Sequence, residues 1–350
     1  FSGDIGNRDQ PIMRDPQYIS EADYVVTEST YGDRLHDMSE IPDYTGDLAA
    51  IIDETLGKGG NVIIPSFAVG RTQELLYFIR EMKEKGLVKQ VPNFQVYVDS
   101  PLAGEATRIF SGDLHGYLDE EAIEAIKHGA LFRFPGLNIT ESSEESKNLN
   151  VDKTPKVIIS ASGMCDAGRI RHHLKHNLWR PECTVVFVGF QAEGSLGRRL
   201  LDGVTSVKLF GEEIAVRARI VNFKGLSSHA DRDGLLRWID AFTPKPRQVF
   251  VVHGESKVTE IYAQTLRDRG FAAHSPNYEE VYDLLGDRML APGVVLEPKA
   301  PAALPGSASP AYRRLEETGR KLMEVIAHNR GGANKDLGKF ADQLRALIEK

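Results

Sequence analysis

Asn61-Val-Ile-Ile-Pro-Ser-Phe-Ala-Val-Gly-Arg-Thr-Gln-Glu74 runs from an unbroken apolar stretch through a Gly-Arg turn into a segment of helical spacing. An apolar run bounded by turn residues predicts a strand, Asn61–Pro65, buried on both faces, which is the habit of parallel sheets. The same alternation extends outward on both sides. A predicted helix over 45–57 stops at Gly59-Gly60, and helix Thr72–Lys85 stops at Gly86. Strand Phe94–Val98 leads to helical stretches across 103–128. After the polar segment Glu141–Asn150 come strand Lys156–Ser160, a helix from about Ala167, strand Thr184–Gly189 and a helix from about Ser195. Strands alternating with helices define an α/β fold with a mostly parallel sheet covered on both faces. A second, smaller α/β unit is expected from strand Val216–Phe223, helix Arg232–Ala241, strand Gln248–Val252 and helix Val258–Arg269. Residues 291–310 have linker composition, and two amphipathic helices split at Arg330-Gly-Gly-Ala follow.

With 350 residues, 41% apolar and 27% charged, the chain can bury two cores and is a soluble globular protein by composition. No apolar run approaches the roughly 18 residues that cross a bilayer, and no charged-then-apolar leader opens the sequence. A cytoplasmic protein without a membrane partner is therefore expected. Cys165 and Cys183 are the only cysteines. Each lies in apolar sequence, which predicts buried free thiols and excludes a disulfide framework or a thiolate zinc cluster. A net charge of −7 opposes nonspecific attraction to a polyanion. Local charge differs from the total, because Ala167–Pro181 contains no acidic residue and carries Arg169, Arg171, Lys175 and Arg180 with three histidines. This stretch is either a substrate-facing patch or a solvated helix face.

Four segments place an acid/base or metal-binding side chain at a strand end or in the turn after it. They are Asp4 in Phe1-Ser-Gly-Asp4, Glu28 in Thr27-Glu-Ser-Thr-Tyr-Gly32, His229 in Ser227-Ser-His-Ala-Asp231 and His253 in Val251-Val-His-Gly-Glu255. Carboxylate and imidazole donors suit a zinc site that keeps a position open for water. Three further turns carry glycine beside arginine: Gly70-Arg71, Ser160-Ala-Ser-Gly-Met164 with Gly168-Arg169, and Gly189-Phe-Gln-Ala-Glu-Gly-Ser-Leu-Gly-Arg198. Backbone N–H groups and cations at such turns can receive phosphates; glycine used only for tight turns is the alternative. Asp99-Ser-Pro-Leu-Ala103 is assigned to packing and turn formation.

In this order the four segments resemble the metallo-β-lactamase/β-CASP nucleases, a family that includes pre-mRNA 3′-end endonucleases and bacterial RNase J. The resemblance covers roughly residues 1–290 and implies a partial metallo-β-lactamase αββα sandwich with an inserted β-CASP α/β domain. The implied division is 1–32 and 213–290 for the metallo-β-lactamase portion, 33–212 for the β-CASP domain, 291–311 for a linker and 312–350 for a helical extension. By position, Asp4 matches a carboxylate that bridges two zinc ions, and His253 matches a terminal zinc ligand. Glu28 and His229 match a hydrogen-bonded pair in which the histidine is a candidate general acid, and Asp231 supports the same turn or caps the next helix. Arg71, Ser162, Gly163, Met164, Arg169 and Arg198, in turns that match the inserted domain, are candidate substrate contacts, as is Lys175 of the acid-free stretch. The implied partner is RNA, preferably single-stranded, since a histidine at the position of His253 resembles the RNA-acting branch; a homodimer through the C-terminal helices is also allowed.

The family's His-x-His-x-Asp-His cluster has no counterpart in this sequence. An inactive fragment of a zinc-dependent ribonuclease is therefore expected, with weak or absent metal binding. The competing expectations are a noncatalytic RNA-binding or scaffold subunit of the same family, and a nucleotide-binding doubly wound enzyme. Neither Gly-x-Gly-x-x-Gly nor the P-loop pattern occurs to support the last.

Overall fold

Continuous apolar runs become the central strands of a parallel sheet. In chain order the elements are β1 (Tyr24–Thr27), α1 (Tyr44–Gly57), β2 (Val62–Pro65), α2 (Arg71–Glu84), β3 (Gln95–Val98), α3 (Pro101–Phe110), α4 (Glu120–Lys127), β4 (Leu137–Ile139), α5 (Ser143–Val151) and β5 (Lys156–Ser160). There follow α6 (Ile170–Asn177), β6 (Thr184–Phe187), α7 (Leu196–Leu201), β7 (Ser206–Leu209), β8 (Glu212–Ala215), β9 (Arg219–Asn222), α8 (Arg232–Ile239), β10 (Gln248–Val251), α9 (Ser256–Asp268) and β11 (Ala273–His274). The structure, a computed structural model, describes residues 1–36, 43–112, 114, 116–127, 131–223, 227–295, 310–328 and 334–348.

The larger sheet has six strands in the order β4-β3-β5-β2-β6-β9, and every pairing in it is parallel. Every residue of β2, β5 and β6 is buried, as a strand with helices on both faces requires. Alternation divides their side chains between two cores. Val62, Ile64, Val157 and Ile159 pack against α1 and α2 through Leu48, Ile52, Leu75 and Ile79. Ile63, Ile158, Val185 and Phe187 pack against α6 and α7 through Ile170, Leu174 and Leu200. Gly59 and Gly86, at φ 79° and 61°, end α1 and α2 as predicted, because the left-handed turn that closes a helix strains any residue with a Cβ.

The smaller sheet, β1-β10-β11, is also parallel, and Val25, Val249, Leu235, Ile239 and Leu266 share its core. One strand departs from expectation. The segment predicted to open the second α/β unit forms β9, which pairs with β6 from Thr184↔Arg219 to Phe187↔Asn222 and edges the larger sheet. Residue pattern predicts that a strand forms there, but it does not choose the neighbour.

The chain divides into two compact units, Phe1–Pro276 with Asp283–Arg288, and Asn277–Tyr282 with Met289–Lys350. The second contains α10 (Pro310–His328) and α11 (Asn334–Ile348), at the places where two amphipathic helices are predicted. The expected break at Arg330-Gly-Gly-Ala and most of the expected linker lie outside the described residues. Among the described residues, no helix is long and apolar enough to cross a membrane.

Candidate active site

Two neighbouring strands of the smaller sheet deliver the first pair of functional groups. Thr27 of β1 stands opposite Val251 of β10, so Glu28 and His253 emerge from the same end of the sheet, where ligands of parallel sheets bind. His253 has a left-handed backbone, φ 49°. Its carbonyl accepts from the Ser29 N–H at 3.2 Å. A Cβ on the next residue, Gly254, would lie 2.7 Å from Ser29 Oγ, so the turn passes too close to its neighbour for a side chain.

The other groups arrive on chain segments laid beside this end. Ser2 N–H donates to the Val26 carbonyl at 2.9 Å, Ala230 N–H to Ile5 at 2.8 Å and Asn7 N–H to Ser228 at 2.9 Å. These bonds bring Asp4 and His229 together although 225 residues separate them in the chain. His229 Nδ1 donates to the Glu28 carboxylate, at 2.9 and 3.1 Å from its two oxygens. Glu28 is 2% exposed and also accepts from the Ile5 N–H at 2.6 Å. Burial opposes the carboxylate charge, but the hydrogen bonds from His229, Thr30 and Ile5 outweigh it and lower the Glu28 pKa. Burial likewise opposes a charged ring at His229, yet the hydrogen bond and charge of Glu28, with the charge of Asp4, raise its pKa. Bonding through Nδ1 leaves Nε2 as the nitrogen free for chemistry.

Asp4, His229 and His253 each offer one donor atom, and these atoms lie within 4.8 Å of one another. The carboxylate of Asp4 stands 3.6 Å from His253 Nε2. The side chains of Asp4 and His253 are well exposed, open to a cavity of about 800 Å³ that all three help to line. Asp231 is the N-cap of α8, accepting from the Gly234 N–H at 2.9 Å, while its second oxygen accepts from the His36 N–H at 3.2 Å. It fixes the helix start two residues beyond His229.

The predicted substrate contacts separate into two groups. Arg71 and Met164 line the cavity. Arg71 is nearly buried and ion-paired with Glu74 one helical turn on. Gly163 lies close against the ring of Phe67, whereas Ser162 Oγ turns into its own loop, donating to the Ala167 carbonyl at 3.3 Å. Arg169, Lys175 and Arg198 are not among the residues lining this cavity. Each holds a carboxylate: Asp99 at 2.8 Å, Glu212 at 2.5 Å and Asp202 at 3.0 Å respectively.

Two features were not legible as functional groups in the sequence. Asp99, assigned above to packing and turn formation, is fully buried and accepts hydrogen bonds from Ser146 at 2.6 Å, His173 at 2.6 Å, Arg169 at 2.8 Å and Thr140. Burial disfavours its charge, but His173, Ser146 and Thr140 hold the carboxyl far below the usual carboxylate range. The second feature is an apolar cavity wall formed by Phe67, Val69, Leu102 and Phe190. Its only sequence signal is apolar residues placed shortly after strand ends.

Comparison with known proteins gives the family. Residues 72–200 match the model of the Beta-Casp domain, and residues 213–276 match the Zn-dependent metallo-hydrolase RNA specificity domain. The chain is 37% identical over 270 residues to Ribonuclease TTHA0252 of Thermus thermophilus, covering 77% of this chain and 60% of that relative. It is 32% identical over 267 residues to an RNase J-like protein of Methanocaldococcus jannaschii, covering 76% and 60%. Transcription termination factor FttA of Thermococcus kodakarensis is 31% identical over 261 residues, 72% of this chain and 39% of the factor. The chain belongs to the β-CASP family of metallo-β-lactamase-fold proteins. It spans about 60% of the length of the first two relatives.

Proposed function

We propose that this chain carries the acid/base pair and part of the metal site of a zinc-dependent ribonuclease that hydrolyses RNA phosphodiester bonds. The observation that carries the reading is the Glu28–His229 pair set against Asp4 and His253 at the mouth of one cavity. The donors suit zinc: carboxylate and imidazole are its ordinary non-sulfur ligands. Asp4 and His253 would hold the ion, with His229 facing the same space. When bound, zinc supplies Lewis-acid polarisation and lowers the pKa of a coordinated water.

The protein's own groups divide the remaining work. Glu28 fixes the His229 ring through Nδ1 and favours its protonated form, so Nε2 can carry a proton to the 3′-oxygen as it leaves. The products of such a cleavage are a 5′-phosphate and a 3′-hydroxyl. Arg71 lines the cavity with its guanidinium held by the buried Glu74. A noncatalytic RNA-binding subunit would not need this hydrogen-bonded pair, which favours the enzymatic reading. Preference for single-stranded RNA is supported by a cavity large enough for a splayed nucleotide. Action in the cytoplasm accords with two buried free cysteines, and self-association accords with the exposed Met323, Val325 and Ile326 of α10.

In the full-length protein, His229→Ala is expected to slow RNA cleavage roughly 10²–10⁴-fold, the scale of general acid–base help, while bound zinc stays nearly constant. His253→Ala should lower both zinc content and rate. Equal zinc loss in the two variants would refute this division of roles.

A further inference from the structure

Phe67 is 45% exposed, Val69 59% and Leu102 65%, and all three line the cavity that holds Asp4, His229 and His253. Single exposed apolar side chains are ordinary, but several on one wall of a concave site mark a surface that a ligand covers. The ring of Phe67 is closely neighboured by Gly163. A Cβ on Gly163 would lie 3.0 Å from ring atoms Cδ2 and Cε2, so the chain passes close beside that side of the ring and leaves no room for a side chain there. The backbone of Phe67 is fixed as well, its carbonyl accepting from Thr72 Oγ1 at 2.7 Å and Ser66 Oγ at 3.2 Å. Phe190 on the same wall has Tyr31 as a ring neighbour at 6.1 Å. Phe67 has no aromatic neighbour among the described residues.

We propose that Phe67 is a stacking platform for one nucleobase of the RNA strand, holding the nucleotide next to the phosphate that enters beside His229. This inference rests on the ribonuclease reading and names how that substrate is positioned. The occupant follows from what the cavity holds. Phe67 offers a flat apolar face, and Asp4, His229 and His253 share the same cavity. A nucleic-acid strand sets a flat ring beside each phosphate, and under the ribonuclease reading that phosphate lies at these three side chains. Phe67, Val69 and Leu102 carry no side-chain hydrogen-bond donor or acceptor, so the platform should accept any base. Phe67 is thus a positioning residue, because it touches the base and not the reacting atoms.

The test measures binding of short RNA oligonucleotides in EDTA, with a single abasic nucleotide placed at each position in turn, so cleavage does not enter. In the wild-type full chain, one position should show an affinity loss of roughly 5- to 150-fold when its base is removed, the range of a single base–aromatic stack. Phe67→Ala and Phe67→Leu should lose that position-specific penalty, and Phe67→Tyr or Phe67→Trp should retain it. Gly163→Ala, which displaces the ring without removing it, should reduce it. The leucine variant keeps apolar volume, so a fold defect in the alanine variant does not remove the comparison. An abasic penalty of equal size in wild type and Phe67→Leu would overturn the proposal, as would a wild type that binds a wholly abasic strand as tightly as RNA; either result leaves the phosphodiesterase reading standing. A wild type that binds no RNA would overturn both.

Discussion

Asp99 shows how one residue can govern a neighbourhood of side chains. A buried carboxylate is costly unless it is paired and hydrogen-bonded, and this one has four side-chain donors from three separate segments. Removing it leaves Arg169 without its buried partner and His173 and Ser146 unsatisfied, so Asp99→Ala should cost about 3–5 kcal/mol in urea unfolding. The pH dependence has a defined sign. Because the folded-state pKa of Asp99 is depressed, its contribution is fully present above the unfolded value near 3.9 and disappears as pH falls toward the folded value. Acid titration of stability should show a wild-type loss below about pH 4 that is smaller in Asp99→Ala; parallel curves would remove Asp99 from the account. The sequence displays Asp99 in a turn, but its partners stand 41 to 74 residues away, and no local pattern encodes such distances.

At the scale of elements, α6 bears on a charge-based expectation. The acid-free stretch from Ala167 to Pro181 leaves both a substrate-facing patch and a solvated helix face open, and charge counted along the chain omits acids brought in by folding. Glu212 of β8 meets Lys175, and Asp99 after β3 meets Arg169. His173 is turned fully inward, and His172 stacks on Phe210 at 4.3 Å. Lys175→Ala is therefore expected to leave RNA affinity nearly unchanged, since its ammonium is already held by Glu212. Arg169→Ala should lower the midpoint of urea unfolding before it alters the salt dependence of RNA binding. A salt slope reduced by about 0.7 in either variant would restore the phosphate-contact role. The helix and strand alternation itself was legible, because apolar runs of this length have few other solutions. The partner of β9 was not, since edge pairing is decided by neighbours that propensity does not see.

For the molecule as a whole, the functional groups gather where strand ends of separate sheets open onto one cavity. The larger sheet supplies Phe67 after β2, Met164 after β5 and Phe190 after β6, and those three strands are adjacent. The smaller sheet supplies His253, and its flanking segments supply Asp4 and His229. Asp4 and His253, the two donors proposed to hold the ion, are fewer than the three or four protein ligands of an ordinary zinc centre. The 350-residue chain is thus expected to bind zinc weakly, with well under two equivalents retained after dialysis and little cleavage of RNA. Two tightly held equivalents by metal analysis would show that the described donors suffice.

The left-handed backbone at His253 has a bearing on protein engineering. A side chain with a Cβ in that conformation is roughly 1–2 kcal/mol less favourable than in the right-handed region, a cost that glycine escapes. Redesign guided by thermal stability alone would therefore favour glycine at this position and would delete the proposed metal donor while appearing to improve the protein. Stabilised forms of this fold meant to retain chemistry should keep residue 253 out of the search and take their gains from other sites.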